Sequence, residues 1–579
     1  MHRKFFYYFL FIALLSKGQI VFAQEPSENK DTLHLVEILQ AKKLELRKTD
    51  DSTNLQILTG SVKLKQEKTF FDCDSCVINN RLNTFDAFGH IHINDADTAN
   101  VYSDYLQYLI SKKVAYLKGN VILTDGKGTL TTPELEYDVD TKLGIYKSGG
   151  KVVNKKTILT SQEGYYYTDL KDVYFKKNVE LKDPAYHVLT DSLIYNTENE
   201  TMRFIAKTFI KDSSGRTIET SEGYYNLKTG KAEFGNNPII KDGSTIIKAR
   251  RITNDDSTGI SRAEGNVIIV DTAEGRTVMG GLVIRNKKNN SMLATDHPLM
   301  IIKQDEDSIF ITADTLFSAR LSDLNVIRKD SVKADSLART RVTSDSLKVD
   351  SLTRVKAVKA NDPLKIDTLK GTKVMSINED DSTNHYFQGY HHVRIFSDSL
   401  QAVCDSLFYS FQDSVFRMFE KPVLWSKESQ ITGDTILLYT KNKKADRIKV
   451  FENSFLANKV DPEIFNQVKS TRMDGFFKEG SIDSVRARGF AECIYFIQDE
   501  DSAYTGINES KSDIIDIYFS SDSSGNQHEL QKVIFRSDVS GTIWPMKEKD
   551  PKTMRLQNFQ WFEDRRPKTK FELMRSDSQ

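Results

Sequence analysis

The chain is poor in the residues that most often announce chemistry. Four cysteines and ten histidines are scattered over 579 residues, and no G-x-S-x-G, H-E-x-x-H, complete phosphate-binding G-x-x-x-x-G-K-[ST] or calcium-loop acid ladder occurs. Net charge is also absent, with 81 basic against 81 acidic residues. That balance excludes a global electrostatic pull toward nucleic acid or an anionic membrane and leaves only a local patch open. Hydrophobic content is 39% and mean hydropathy is −0.46. The composition suits thin, two-sided β-structure better than a large globular core.

The one unbroken apolar run, Phe5 to Leu15, follows His2-Arg3-Lys4 and precedes Val21-Phe22-Ala23. Spanning a bilayer needs about 20 apolar residues, so residues 1–23 read as a cleavable secretory signal with a mature start near Gln24. A lipid anchor would need Cys at that position. Direct lipidation is not expected.

What the chain has in abundance is repetition. The pattern Asp-x-Leu-x-Tyr is centred on Leu106, Leu135, Gly164, Leu193, Gly223, Ile252 and Leu282, at spacings of 29, 29, 29, 30, 29 and 30. A second pattern, Gly or Asn before an alternating strand, recurs in Gly60-Ser-Val62-Lys-Leu64, Gly89-His-Ile91-His-Ile93, Gly119-Asn-Val121-Ile-Leu123, Lys177-Asn-Val179-Glu-Leu181 and Gly265-Asn-Val267-Ile-Ile269. A fixed period of this size marks units that bury their apolar face only by stacking on neighbours. Alternation of period two makes each unit two half-buried strands, with turns at sites such as Asp125-Gly126 and Thr229-Gly230. His90 and His92 fall on the polar side. Tyr108, Tyr137, Tyr166, Tyr195 and Tyr225 should stack as a column, either a ladder that fixes register or a wall that touches a ligand.

Between Phe317 and Tyr386 there is no aromatic residue, and Lys, Arg, Asp, Ser and Val dominate. Residues 318–385 are therefore expected to be a disordered or partly helical linker, because they bury too little apolar area to offset their ordering entropy. The beat resumes at Gly389-Tyr-His-His-Val393 and Lys421-Pro-Val423-Leu-Trp425, then loosens after Phe455. The expected domains are thus a regular β segment at 24–317, a less regular one at 386–545, and a polar, solvated tail at 546–579.

Several clusters invite a site. Cys73-Asp-Ser-Cys76 resembles a metal or redox pair, but on an extended strand the two thiols point to opposite faces, and the spacing to His90 and His92 does not suit zinc. Cys404 shares the template position of Cys73; a long-range disulfide stays open, with no pair indicated. Glu379-Asp-Asp381 and Asp499-Glu-Asp501 read as solvated turns, with calcium the minor alternative, and His385, His391 and His392 cluster near the restart of the repeat, where a metal role is the lesser reading. No catalytic, metal or cofactor site is expected.

The signal, the Gly-Asn-Val-Ile-Leu strands, the Asp-x-Leu-x-Tyr rungs and their period resemble the OstA-like family, the organic-solvent-tolerance and LptA-type periplasmic lipopolysaccharide-transport proteins. The resemblance covers residues 30 to 310 strongly and 385 to 545 weakly. It implies an all-β fold, a repetitive twisted open β-jelly roll, whose apolar trough carries the lipid A part of lipopolysaccharide toward the outer membrane without catalysis or cofactor. Val62, Leu64, Ile91, Ile93, Val121, Leu123, Val179, Leu181, Val267 and Ile269 would line that trough, with Leu106, Leu135 and Leu193 opposite. It also implies a periplasmic location, with association with the outer membrane left open. The partners it implies are other jelly-roll transport proteins, joined by end-to-end strand pairing, and an outer-membrane translocon, with no nucleic acid. An exported β-helix enzyme acting on polysaccharide and a purely structural β-repeat scaffold are the competing readings.

Overall fold

The computed structural model describes residues 35–48, 54–96, 98–303, 308–324, 384–442, 444–478, 481–499, 503–521 and 528–574. The leader at 1–23, Glu379-Asp-Asp381, Glu500-Asp501 and most of the 318–385 segment lie outside the described residues. Forty strands, joined by antiparallel pairing into one sheet, make up nearly all of the rest. Each long strand pairs with its predecessor and successor, as Val114–Thr124 does with Ala99–Leu109 and Thr129–Asp138. The fold is all-β, a repetitive β-jelly roll.

A recurring backbone device bends the long rungs. Pairs of consecutive left-handed residues occur at Gly60-Ser61, Gly89-His90, Gly119-Asn120, Lys177-Asn178, Gly265-Asn266, His391-His392 and Glu452-Asn453. Register shifts by one residue at these places, for example between Thr59 and Val62 opposite Ser75 and Cys73. The second residue is often Asn, which tolerates this region better than most side chains. The Gly-Asn signature is therefore a corner at which the strand leaves one layer and enters the other.

The corner also switches side-chain parity on the partner strand. Cys73 and Cys76, three residues apart, are both buried in one core, as are Cys404 and Leu407. The expectation that Cys73 and Cys76 face opposite ways is corrected by the bend at Asp74 between them. One rung is also re-registered: Val283, not Leu282, is the inward residue, because Gly280-Gly281 occupy the corner under Asp296. At Gly164 the central side chain is missing for a packing reason. A Cβ there would lie 2.4 Å from the buried Tyr146 ring, which fills the space.

The sheet does not stop at residue 317. Thr315–Arg320 pairs with the first half of His385–Phe396, matching Leu316 to Gly389, and Ile309–Thr312 pairs with its second half. Residues 325–383 are thus inserted in a hairpin connection, and the strands from His385 onward continue the same sheet. The looser spacing after Phe455 reflects longer rungs, with Lys444–Asp461, Ser481–Gln498 and Tyr504–Ser521 each 18 residues long.

The tail from 546 is not solvated as its polarity suggests. It runs back across the outer face of the second half to the end of the first, setting Met554 and Leu556 against Phe455, Ile494, Phe496 and Ile507, Phe562 against Val403, Val423 and Trp425, and Leu573 against Leu299, Phe310 and Phe396. Buried glutamines hold its backbone. Gln430 accepts from the Phe562 amide at 2.7 Å and donates to the Gln560 carbonyl at 2.8 Å; Gln467 does the same for Leu556 and Met554 at 2.8 and 3.0 Å. Each side-chain amide thereby acts as a stretch of strand edge for a segment that crosses the strands.

Two outcomes test these readings. Gly164→Ala should lower stability by about 1–3 kcal/mol through overpacking against Tyr146, while Gly235→Ala, whose Cβ meets only ordinary contacts, should change it little; equal urea midpoints would contradict the packing account. Gln430→Leu with Gln467→Leu should free the strap, so that trypsin cuts at Lys552 and Arg555 much faster than in the native chain, with the sheet's circular dichroism retained.

Candidate functional site: the apolar interior and its mouth

The two layers face each other across one core. Val62, Leu64, Ile91, Ile93, Val121, Leu123, Val179, Leu181, Val267 and Ile269 lie on one layer and Leu106, Leu135 and Leu193 on the other; all are buried, none above 8% exposed. They belong to a single apolar cluster that runs from Leu58 to Phe519. Lys182, the outward neighbour of Leu181, is exposed. The alternation follows from the pleat, and the shared interior follows from the corner between the two halves of each rung.

The tyrosine column stands at the free edge of one layer, two residues beyond the central positions, and all five rings are buried. Three of the hydroxyls reach across the mouth of the roll to polar residues that end the facing layer's strands. Tyr108 donates to Gln66 at 2.6 Å, Tyr137 donates to Asp95 at 2.6 Å, and Tyr195 accepts from Asn154 at 3.2 Å. A second set of bridges has the same period. Lys113 meets Glu67 at 2.8 Å, Lys142 meets Asp95 at 2.5 Å, and Lys171 meets Asp125 at 3.7 Å. These lysines sit in left-handed turns, with φ of 54°, 57° and 61°. Asp95 is fully buried and also accepts from Thr69 at 3.1 Å; burying a carboxylate this far requires such pairing. Burial pushes the Tyr195 phenol up to about 12, and raises Tyr108 and Tyr137 as well. The column is a neutral latch that ties the mouth shut.

The latch is interrupted where the tyrosine position becomes Asn254 and then Arg285. Here an opening of about 230 Å³ is lined by Ile269, Met292, Met300, Arg276, Arg285 and His385, with Asp271 and Glu274 on the rim. Arg276 pairs with Glu274 and lies over the Phe411 ring at 4.6 Å; burial lowers its pKa. Burial, and then the Arg276 charge, lower that of His385. Arg285 keeps one buried guanidinium nitrogen, Nη1, without a hydrogen-bond partner. Of the thirteen apolar residues named from the sequence, Ile269 is on this opening. The repeat patterns do not single out the arginines and methionines, although the loss of Tyr from the column after Tyr225 is a readable signal.

The other sequence candidates do not converge. Cys73 and Cys76 share a thiol hydrogen bond, which with burial keeps Cys76 protonated; burial pushes Cys404 and Cys493 up to about 12. All four are free and buried. His90 bonds Asp74 at 2.7 Å and His92 stacks on Tyr102, both on the outer side. His391 pairs with Asp405 and His392 with Asp314. Among the described residues no three His, Cys, Asp or Glu side chains form a metal-holding group, and no helix is long and apolar enough to cross a membrane.

A stack of bent rungs enclosing a lipophilic interior is the architecture of a β-jelly roll built for repeat stacking. Residues 33–191 match the family described as OstA-like protein, a little over a quarter of the chain. Over 78 residues it is 35% identical to the LPS-assembly protein LptD of Psychrobacter cryohalolentis, a match covering 14% of this chain and 8% of that protein. The chain thus spans less than a tenth of the curated relative it matches. Among solved structures it is similar to LptH, the LptA-homologous periplasmic component of the lipopolysaccharide transport device of Pseudomonas aeruginosa, at 15% identity over 18% of this chain and 79% of that one, with a TM-score of 0.17.

Asp95→Ala should cost about 3–5 kcal/mol, since it strands Lys142 in the latch, whereas Tyr137→Phe removes one hydrogen bond and should cost about 1 kcal/mol. Thermal unfolding that ranks the two the other way would contradict the latch.

Proposed function

We propose that this protein binds lipopolysaccharide through its lipid A acyl chains and passes it along the roll's interior toward the outer membrane, without catalysis or cofactor. The observation that carries the reading is the uninterrupted apolar interior of near-identical rungs within an OstA-like chain. Acyl chains gain about 0.8 kcal/mol per buried CH₂ in such surroundings. Rungs of uniform chemistry offer no single deep minimum, so a chain admitted between the layers can move along them. Admission requires the Tyr and Lys latches to part, and the opening beside Arg276 and Arg285 is where no Tyr latch has to break.

In this reading the protein works in the periplasm after export. Its partners are other jelly-roll transport proteins and an outer-membrane translocon. The first strands, Glu37–Gln40 and Lys43–Lys48, support end-to-end joining: among the described residues they pair only with Asn54–Gln66, and they leave Leu39, Leu44 and Leu46 exposed. An open strand edge with apolar side chains is what strand addition uses.

A photocrosslinking residue in place of Val121 or Val179 should capture lipopolysaccharide in cells, and one in place of Lys182 should not. Equal labelling at all three, or gently purified protein that carries no lipid by mass spectrometry, would favour a structural scaffold instead.

A further inference from the structure

The outer surface of the second half is divided at the corners. Beyond them it is apolar and covered by the strap. Before them lies a face that no other described segment covers, formed by the strands Lys444–Asp461, Ile464–Lys478, Ser481–Gln498, Tyr504–Ser521 and His528–Arg536. The pairing aligns its outward side chains in rows. Phe451, Arg472, Arg488, Ile514 and Arg536 form one; Lys449, Asp474, Arg486, Asp516 and Ile534 the next; Arg447, Phe476, Ser484, Tyr518 and Lys532 the third.

Seven cations thus share this face with two carboxylates, in a chain whose total charge is zero. The carboxylates are already shared. Asp516 holds Arg486 at 2.5 Å and Arg536 at 2.9 Å, and Asp474 holds Arg472 at 3.3 Å and Arg488 at 3.9 Å. Arg447, Lys449 and Lys532 have no carboxylate partner among the described residues. Arg447 lies over the Tyr439 ring at 4.4 Å and Arg472 over Phe451 at 4.9 Å, each with a buried Nε that makes no hydrogen bond. Stacking fixes these guanidinium planes with donors unused, around a depression of about 360 Å³.

A second feature lies beside this face. The corner that follows Arg488 is Gly489-Phe490, where Phe490 takes a φ of 49° and is 89% exposed. Other rungs place Asn120, Asn266 or Asn453 at this position. A bulky residue is strained there, and its ring meets water rather than core. A flat cationic face edged by a protruding aromatic ring matches the interfacial zone of a bilayer, where phosphates lie at the surface and rings insert just beneath.

We propose that this face docks the protein on an anionic membrane surface, with the arginines and lysines on lipid phosphates and Phe490 inserted among the headgroups. The contact is independent of what the interior carries. The test is flotation of the full-length mature protein with vesicles of phosphatidylglycerol and phosphatidylethanolamine, against vesicles of phosphatidylcholine alone, at low salt and at about 0.5 M salt. The native protein should float with the anionic vesicles only, and high salt should release it. Lys449→Glu with Arg488→Glu and Lys532→Glu should weaken partitioning about a hundredfold or more. Phe490→Ser, which removes a strained exposed ring and leaves the fold intact, should weaken it severalfold with unchanged salt dependence. No flotation at low salt, equal binding to neutral vesicles, or wild-type partitioning of both folded variants would overturn the proposal, as would binding to a single-stranded oligonucleotide in preference to anionic vesicles.

Discussion

Everything in this fold depends on the pair of left-handed residues at each corner. A straight strand of eleven residues would show one face to a core and the other to water, and two such layers would need separate connections. Two residues with positive φ, inserted opposite one, bend the strand and re-aim its second half. Both halves then point into the same interior. Because the corner recurs at nearly fixed spacing, the rungs stack in register and the interior becomes continuous along the molecule. The period follows from geometry: two strand halves down, two back, and a tight turn at each end.

Bending a sheet this way leaves a mouth, since the layers are joined only at the corners. The mouth is where burial and polarity compete. Rungs of the first half end in a Tyr on one layer and, on the facing layer, in a carboxylate or amide side chain such as Asp95, Gln66 or Asn154. Aromatic bulk seals the interior while the hydroxyl satisfies a polar group that would otherwise be buried alone. The phenols, raised by burial, stay neutral. The latch is dry on its inner side and charge-assisted on its outer side, through Lys113, Lys142 and Lys171.

Much of this is legible in the sequence, and for identifiable reasons. Val-x-Leu alternation reveals the inward faces because the pleat repeats every two residues, and Gly-Asn locates the corners because few other residues accept that backbone. Whatever the corner itself changes is hidden. Counting along a straight strand puts Cys73 and Cys76 on opposite faces, and counting through Gly280-Gly281 points to Leu282 where Val283 is the buried residue. The insertion after Phe317 is visible in its composition, but composition cannot reveal that Leu316 pairs with Gly389 across it. The strap is hidden for another reason. Its polar sequence reads as solvated, and its docking depends on Gln430 and Gln467, which lie far from it in the chain.

The strap and the latches divide the mechanical character of the roll. Over residues 54–271 the outer faces carry exposed apolar residues such as Tyr102, Ile122 and Leu189, and among the described residues the tail packs its apolar side chains on none of them. Separation of the layers there is opposed by the shared core and, at the free side, by the mouth's contacts rung by rung. In the second half Trp425, Phe455 and Phe496 on the outer side are buried beneath a segment that spans many strands. Any change in the spacing of those strands must disturb several glutamine contacts at once. The opening at Arg276, Arg285 and His385 falls between the two regimes, after the last Tyr latch of the first half and near the Leu573 end of the strap. A stretch without the strap and a stretch clad by it meet where the tyrosine column gives way to cations. The physical asymmetry along the roll is therefore set less by the interior, which is uniform, than by what fastens its edges and covers its back.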